Sequence, residues 1–140
     1  MERMKIVSIE GVPFLLRESV KVPFPRLDDF PDCCGAGEGL GEKAIPETMW
    51  GLRVSPACWF HDEDFAEVEP TAEALKGANF RLFVNASSLI IYRSKSVILR
   101  HWRLYRAAKY FSAVQTAGAA TFWKLKRNQG YGGKLSGTSN

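Results

Sequence analysis

At 140 residues, 46% hydrophobic and 24% charged, the chain has the length and composition of a single globular domain with a real core, which excludes a collagenous, fibrous or wholly disordered chain. No apolar run reaches the roughly 18–20 residues that a membrane-spanning helix needs. The net charge of +4 conceals a division: from Arg93 onward ten Lys and Arg stand with no Asp or Glu, whereas residues 1–92 hold nine basic against fifteen acidic residues, a net of −6. An acidic front half suits a cation. A basic back half suits a solvated helix or an anionic surface, either lipid headgroups or nucleic acid.

In chain order, Met1 to Leu16 carries Glu2 and Glu10 and no long apolar stretch, so it does not read as a secretory signal. Residues 4–9 and 12–16, apolar and β-branched around Glu10-Gly11, predict a minor β-hairpin. Residues 21–31 hold three prolines and are expected as extended coil. Four glycines within residues 35–41 then make a loop, and residues 42–54 a connector with a turn at Ile45-Pro46. Ser55-Pro56 starts a helix, Ser as cap and Pro in the first turn, expected to run to about Val68 before Pro70. Thr71 caps a second helix reaching about Tyr92, with Glu73 in its first turn. A third is expected from Ser96 to Thr116, stopped at Gly118. The sum is a mainly-α domain over residues 1–127, with a Gly- and Ser-rich disordered tail at 128–140.

The chemistry concentrates in Cys58-Trp59-Phe60-His61-Asp62. On a helix Cys58 precedes His61 by three residues and Asp62 by four, so the three share one side. The cysteines are Cys33, Cys34 and Cys58, an odd count that allows one disulfide with a free thiol or three free thiols. Were Cys58 bonded to Cys34, the glycine loop would be tied one turn before His61-Asp62, at a gain of roughly 3–4 kcal/mol. Loop carbonyls beside the Asp62 carboxylate would then offer the hard oxygens that calcium takes. In the second helix Leu75, Ala78, Asn79, Leu82, Phe83, Ala86, Leu89 and Ile90 form one apolar stripe in which Asn79 is the polar member. On a helix packed antiparallel to the first, Asn79 would satisfy the His61 ring and set its tautomer.

These segments resemble the phospholipase A2 superfamily. Residues 34–39, Cys-Gly-Ala-Gly-Glu-Gly, look like its C-G-x-G-x-G calcium loop, and residues 58–62 match its C-x-x-H-D helix. The Ile-Pro segment between them is similar to that of shorter phage and bacterial members. The resemblance covers about residues 32–92. It implies two antiparallel core helices carrying the His-Asp site, a calcium loop before them and a helix after them. It further implies Ca2+ held by the backbone carbonyls of Cys33, Gly35 and Gly37 and by the Asp62 carboxylate, with His61 as the base that activates water and Asn79 as its partner. The Gly35 N–H would help the oxyanion, Cys34 and Cys58 would form the disulfide, and Cys33 would stay free. The implied activity is hydrolysis of the sn-2 ester of glycerophospholipids at an anionic membrane surface.

The chain departs from the family pattern in four ways. Asn79 stands where an Asp usually holds the histidine, Phe65 stands where a Tyr usually follows, the stretch between loop and helix is long, and most of the family's other disulfides are missing. A catalytically weak lipid-binding or structural module is therefore the alternative, and a nucleic-acid-binding accessory protein the lower one. The sequence leaves the location open between the cytoplasm and association with a phage with release to an oxidising compartment.

Other residues receive quieter expectations. The glycine loop lacks the G-x-x-x-x-G-K-[ST] spacing of a phosphate loop. Glu63 and Asp64 are expected in solvent, and His101 as structural or exposed. Trp50, Trp59, Trp102 and Trp123 are expected in or near the core.

Overall fold

The computed structural model describes residues 3–32 and 48–131. Met4–Ile9 (β1) and Val12–Arg17 (β2) pair antiparallel, with Met4 opposite Arg17 and Ile9 opposite Val12. Glu10 and Gly11 both have positive φ, 50° and 82°, as the two-residue turn whose twist matches its strands requires. This is the expected hairpin. A second hairpin, Thr48–Met49 (β3) with Leu52–Arg53 (β4), occupies the expected connector, and its turn at Trp50-Gly51 repeats the geometry with φ of 49° and 83°. Only Gly51 hinted at it, because Trp rarely accepts a left-handed backbone. The Ile45-Pro46 turn lies outside the described residues.

Ser55–Glu67 (α1), Ala72–Arg93 (α2) and Val97–Lys126 (α3) make the fold mainly helical. The start of α1 lies one residue from its expected place: Val54 is the cap, and the Ser55 hydroxyl instead donates to Asp32 Oδ1 at 3.2 Å. Thr71 caps α2 as expected, accepting from the Ala74 N–H at 3.0 Å. Ser96 does the same for α3 from Leu99. The expected stop at Gly118 is corrected, since α3 continues to Lys126. A mid-helix glycine costs only about 1 kcal/mol. Beyond it Phe122 is fully buried, its ring 5.3 Å from that of Phe65, and burying such a side chain contributes about 1.5–3 kcal/mol. A terminal turn, Arg127–Tyr131, follows, from which Gln129 Nε2 donates to the Ala66 carbonyl at 3.0 Å and joins the ends of α3 and α1. Residues 132–140 of the expected tail lie outside the described residues.

The core falls into two clusters that give the helix directions. Ala57, Cys58 and Phe60 from the front of α1 pack with Leu82, Ala86 and Leu89 from the back of α2. Phe65 packs with Leu75 and Ala78 from the front of α2. The two helices therefore run antiparallel. The hairpin closes one side: Val12, Phe14 and Leu16 of β2 point inward, and the Asn85 side chain takes the place of a third strand, accepting from Leu15 N at 2.7 Å and donating to Leu15 O at 3.1 Å. The proline-rich coil, apart from a short 3-10 turn at Leu27–Asp29, is held by Phe24 and Phe30 packed on Trp59. Among the described residues no helix is long and apolar enough to cross a membrane.

Candidate active site

The seam between α1 and α2 carries two polar pairs in an otherwise apolar contact. His61 and Asn79 form the first, with His61 Nε2 2.9 Å from Asn79 Oδ1 and both residues buried. The antiparallel packing brings together residues 18 apart in sequence, as the apolar stripe on α2 anticipated. With the amide oxygen as acceptor, Nε2 carries the proton and Nδ1 keeps its lone pair for chemistry. Burial is the main force on the ring's pKa, which is lowered to about 4; the Asn79 bond opposes the shift, and the nearby Arg81 charge adds to it. At neutral pH the imidazole is therefore uncharged. Phe65, at the position where a Tyr would have supplied a hydroxyl, instead lays its ring 4.2 Å from that of His61.

Asp64 and Arg81 form the second pair. Arg81 Nε donates to Asp64 Oδ2 at 2.7 Å and Nη2 to Oδ1 at 3.2 Å, and both side chains are buried. Asp64 was expected in solvent, so this is a correction. Asp64 lies three residues after His61 and so on the same helix face, and that spacing was the overlooked signal. A guanidinium fork on a carboxylate satisfies both charges in one plane, which makes burial tolerable.

The remaining predicted residues divide between the described and undescribed parts. Cys58 is buried one turn before His61, and Asp62 is exposed at the next position on α1. Cys33, Cys34, Gly35 and Gly37 lie outside the described residues. Among the described residues no group of three or more His, Cys, Asp or Glu is placed to hold a metal ion. The residue just before Cys33 is held in place. Arg53 donates to Asp32 Oδ1 at 2.8 Å and to the carbonyls of Leu27 and Phe30, while Ser55 donates to the same carboxylate. The Arg53 hydrogen bond holds the Asp32 carboxyl below its ordinary range. Asp32, the residue before Cys33, is thus anchored to the first turn of the helix that carries His61.

No family model, curated protein or solved structure matches the chain.

Away from the site, the expectation for two of the tryptophans changes and that for His101 holds. Trp50 and Trp102, expected near the core, are exposed, whereas Trp59 and Trp123 are half-buried as expected. His101 is exposed, its ring edge-on to Trp102.

Proposed function

We propose that the chain is a calcium-dependent, phospholipase A2-like ester hydrolase acting on the sn-2 ester of glycerophospholipids. The observation that carries the reading is the buried His61–Asn79 pair, which orients a neutral imidazole with Nδ1 left over, immediately before an exposed carboxylate at Asp62. In this reading Nδ1 takes a proton from the water that attacks the ester carbonyl, and Asn79 holds the ring while the imidazolium forms. The Asp62 carboxylate and the carbonyls of Cys33, Gly35 and Gly37 form a hard-oxygen set of the kind calcium accepts. A calcium ion bound there would polarise the ester and stabilise its oxyanion, with the Gly35 N–H beside it.

A Cys34–Cys58 bond would hold the loop in place. Its support is that Cys58 is buried one turn before His61 and that the chain's only other cysteines are Cys33 and Cys34. The anchoring of Asp32 at Ser55 supports the same approach of the loop to α1.

The test is fatty-acid release from anionic vesicles at increasing calcium. His61→Ala should lower the rate by about 10²–10⁴-fold, the usual contribution of a positioned base. Equal rates for the two proteins would remove His61 as the base. Asn79 itself favours a second reading, a weakly active or inactive lipid-binding module, because an amide stabilises an imidazolium less than a carboxylate does. Asn79→Asp separates the two: faster turnover indicates an active site limited by its histidine partner, and no turnover in either form supports the binding module.

A further inference from the structure

The outer face of α3 carries side chains that play no part in the seam or the core. Ile98, Trp102, Tyr105 and Lys109 recur at i, i+4, i+7 and i+11, one stripe along a helix of 3.6 residues per turn. The opposite face buries Arg103, Ala107 and Val114 against the rest of the fold. Exposure along the stripe is 71% at Ile98, 44% at Trp102 and 54% at Tyr105, and the neighbouring Val97 is 74% exposed.

Trp50 joins the stripe from the β3–β4 turn. Its ring stacks on that of Trp102 at 6.1 Å between centroids and 12° between planes, and it remains 46% exposed. The arrangement is built with care from inside. Trp50 takes a φ of 49°, a backbone state that a bulky residue adopts only when its surroundings impose it. The buried Arg103 braces the turn by donating from Nη2 to the Trp50 carbonyl at 2.6 Å and from Nε to the Met49 carbonyl at 3.1 Å, and it reaches Ser94 with Nη1. A strained turn and a buried guanidinium thus hold an indole at the surface.

Cations complete the face. Arg106 lies over the Trp50 ring at 5.8 Å and Lys109 over the Tyr105 ring at 5.6 Å. No Asp or Glu occurs from Arg93 to the end of the chain.

We propose that this face of α3 docks on an anionic phospholipid bilayer. Val97 and Ile98 enter the acyl boundary, the rings of Trp50, Trp102 and Tyr105 lie at headgroup depth, and Arg106 and Lys109 meet the lipid phosphates. Charge complementarity selects the partner, since a segment that carries Lys and Arg but no acid from Arg93 onward, with Arg106 and Lys109 on this face, is attracted to an anionic leaflet. Nucleic acid fits less well. Trp50 already carries Trp102 and Arg106 on its ring, which leaves less aromatic face for bases, and exposed Val97 and Ile98 gain nothing from phosphates. The docking does not depend on turnover at His61.

The experiment is co-sedimentation of the full chain with vesicles, in chelator so that no calcium-dependent hydrolysis intervenes. Phosphatidylcholine vesicles are compared with vesicles that also contain phosphatidylglycerol. The native protein should pellet with the anionic vesicles and be released by salt. Ile98→Ser combined with Trp102→Ala should weaken that binding by roughly ten-fold or more, with melting temperature and far-UV circular dichroism unchanged. Should that double variant melt early, Lys109→Glu, a single exposed charge reversal, should reduce binding in its place. His61→Ala should pellet as the native chain does, so failure of docking and failure of the hydrolase reading are told apart. Unchanged pelleting of the face variants, equal binding to neutral vesicles, or binding of single-stranded oligonucleotide in preference to vesicles would each overturn the proposal, the last by identifying a nucleic-acid partner.

Discussion

The α1–α2 seam and the outer face of α3 use polar and aromatic groups in opposite ways. In the seam every polar atom must find its partner inside the protein, so Asp64 locks onto Arg81 and Asn79 onto His61, at the cost of a histidine that resists protonation. On α3 the aromatic rings are left half in water with cations beside them, and a buried charge, Arg103, serves to hold them there. The contrast is that dryness gives the seam precision and makes each of its atoms costly to change, whereas the α3 face can be altered with little loss of fold. Substitutions in the two regions should accordingly differ in what they damage.

The largest effect is expected at Arg81. Arg81→Met leaves the Asp64 carboxylate buried without its counter-ion and should destabilise the protein by about 3–5 kcal/mol. Asp64→Leu added to it removes the orphaned charge and should recover most of that loss, because an apolar pair of similar volume is generally no worse than a buried ion pair. Urea denaturation of the native chain, the single and the double variants measures both steps. If the single variant unfolds at the native midpoint, the seam is wetter than its exposures imply.

A smaller effect follows from His61. Its pKa lies near 4 in the folded chain and near the ordinary 6.5 when unfolded. Above pH 6.5 the ring is neutral in both states and the full stability is present. As the pH falls from 6.5 toward 4 the unfolded chain takes up a proton that the folded chain refuses, and about 3 kcal/mol is lost across that window. His61→Gln removes this dependence, so the difference in stability between the native protein and the variant should change with pH over that range and level off outside it. Parallel curves would mean that the ring is protonated in place.

The halves of this comparison were unequally legible in the sequence. The helices of the seam were readable because Ser55-Pro56, Thr71 and the stripe from Leu75 to Ile90 are local signals, and Asn79 stood out as the one amide in that stripe. The Asp64–Arg81 pair was not, since a carboxylate after a His-Asp dipeptide is more often solvated and only the tertiary contact reveals its partner. The reach of α3 was hidden by Gly118, whose helix-breaking tendency is outweighed by the burial of Phe122. The Trp50 turn was hidden because the interaction that holds its strained backbone comes from Arg103, more than fifty residues away. The loop expected at residues 33–39, on which the metal reading depends, lies outside the described residues, so that reading rests on the glycine spacing in the sequence.

The smallest expected effect tests how tightly the seam is set. Gly77 sits inside α2, where an Ala would ordinarily stabilise the helix by about 0.5–1 kcal/mol. A Cβ there would lie 3.2 Å from Arg81 Nη1, and that guanidinium is held by both oxygens of Asp64, so it has little room to retreat. Gly77→Ala should therefore be near neutral in the native chain, its helical gain offset by the displaced ion pair. In the Asp64→Leu, Arg81→Met background the obstruction is gone and the same substitution should recover the full gain, giving a coupling of about 0.5–1 kcal/mol in a thermodynamic cycle. Equal stabilisation in both backgrounds would mean that the guanidinium yields freely, and the glycine would then need a different explanation from the ion pair behind it.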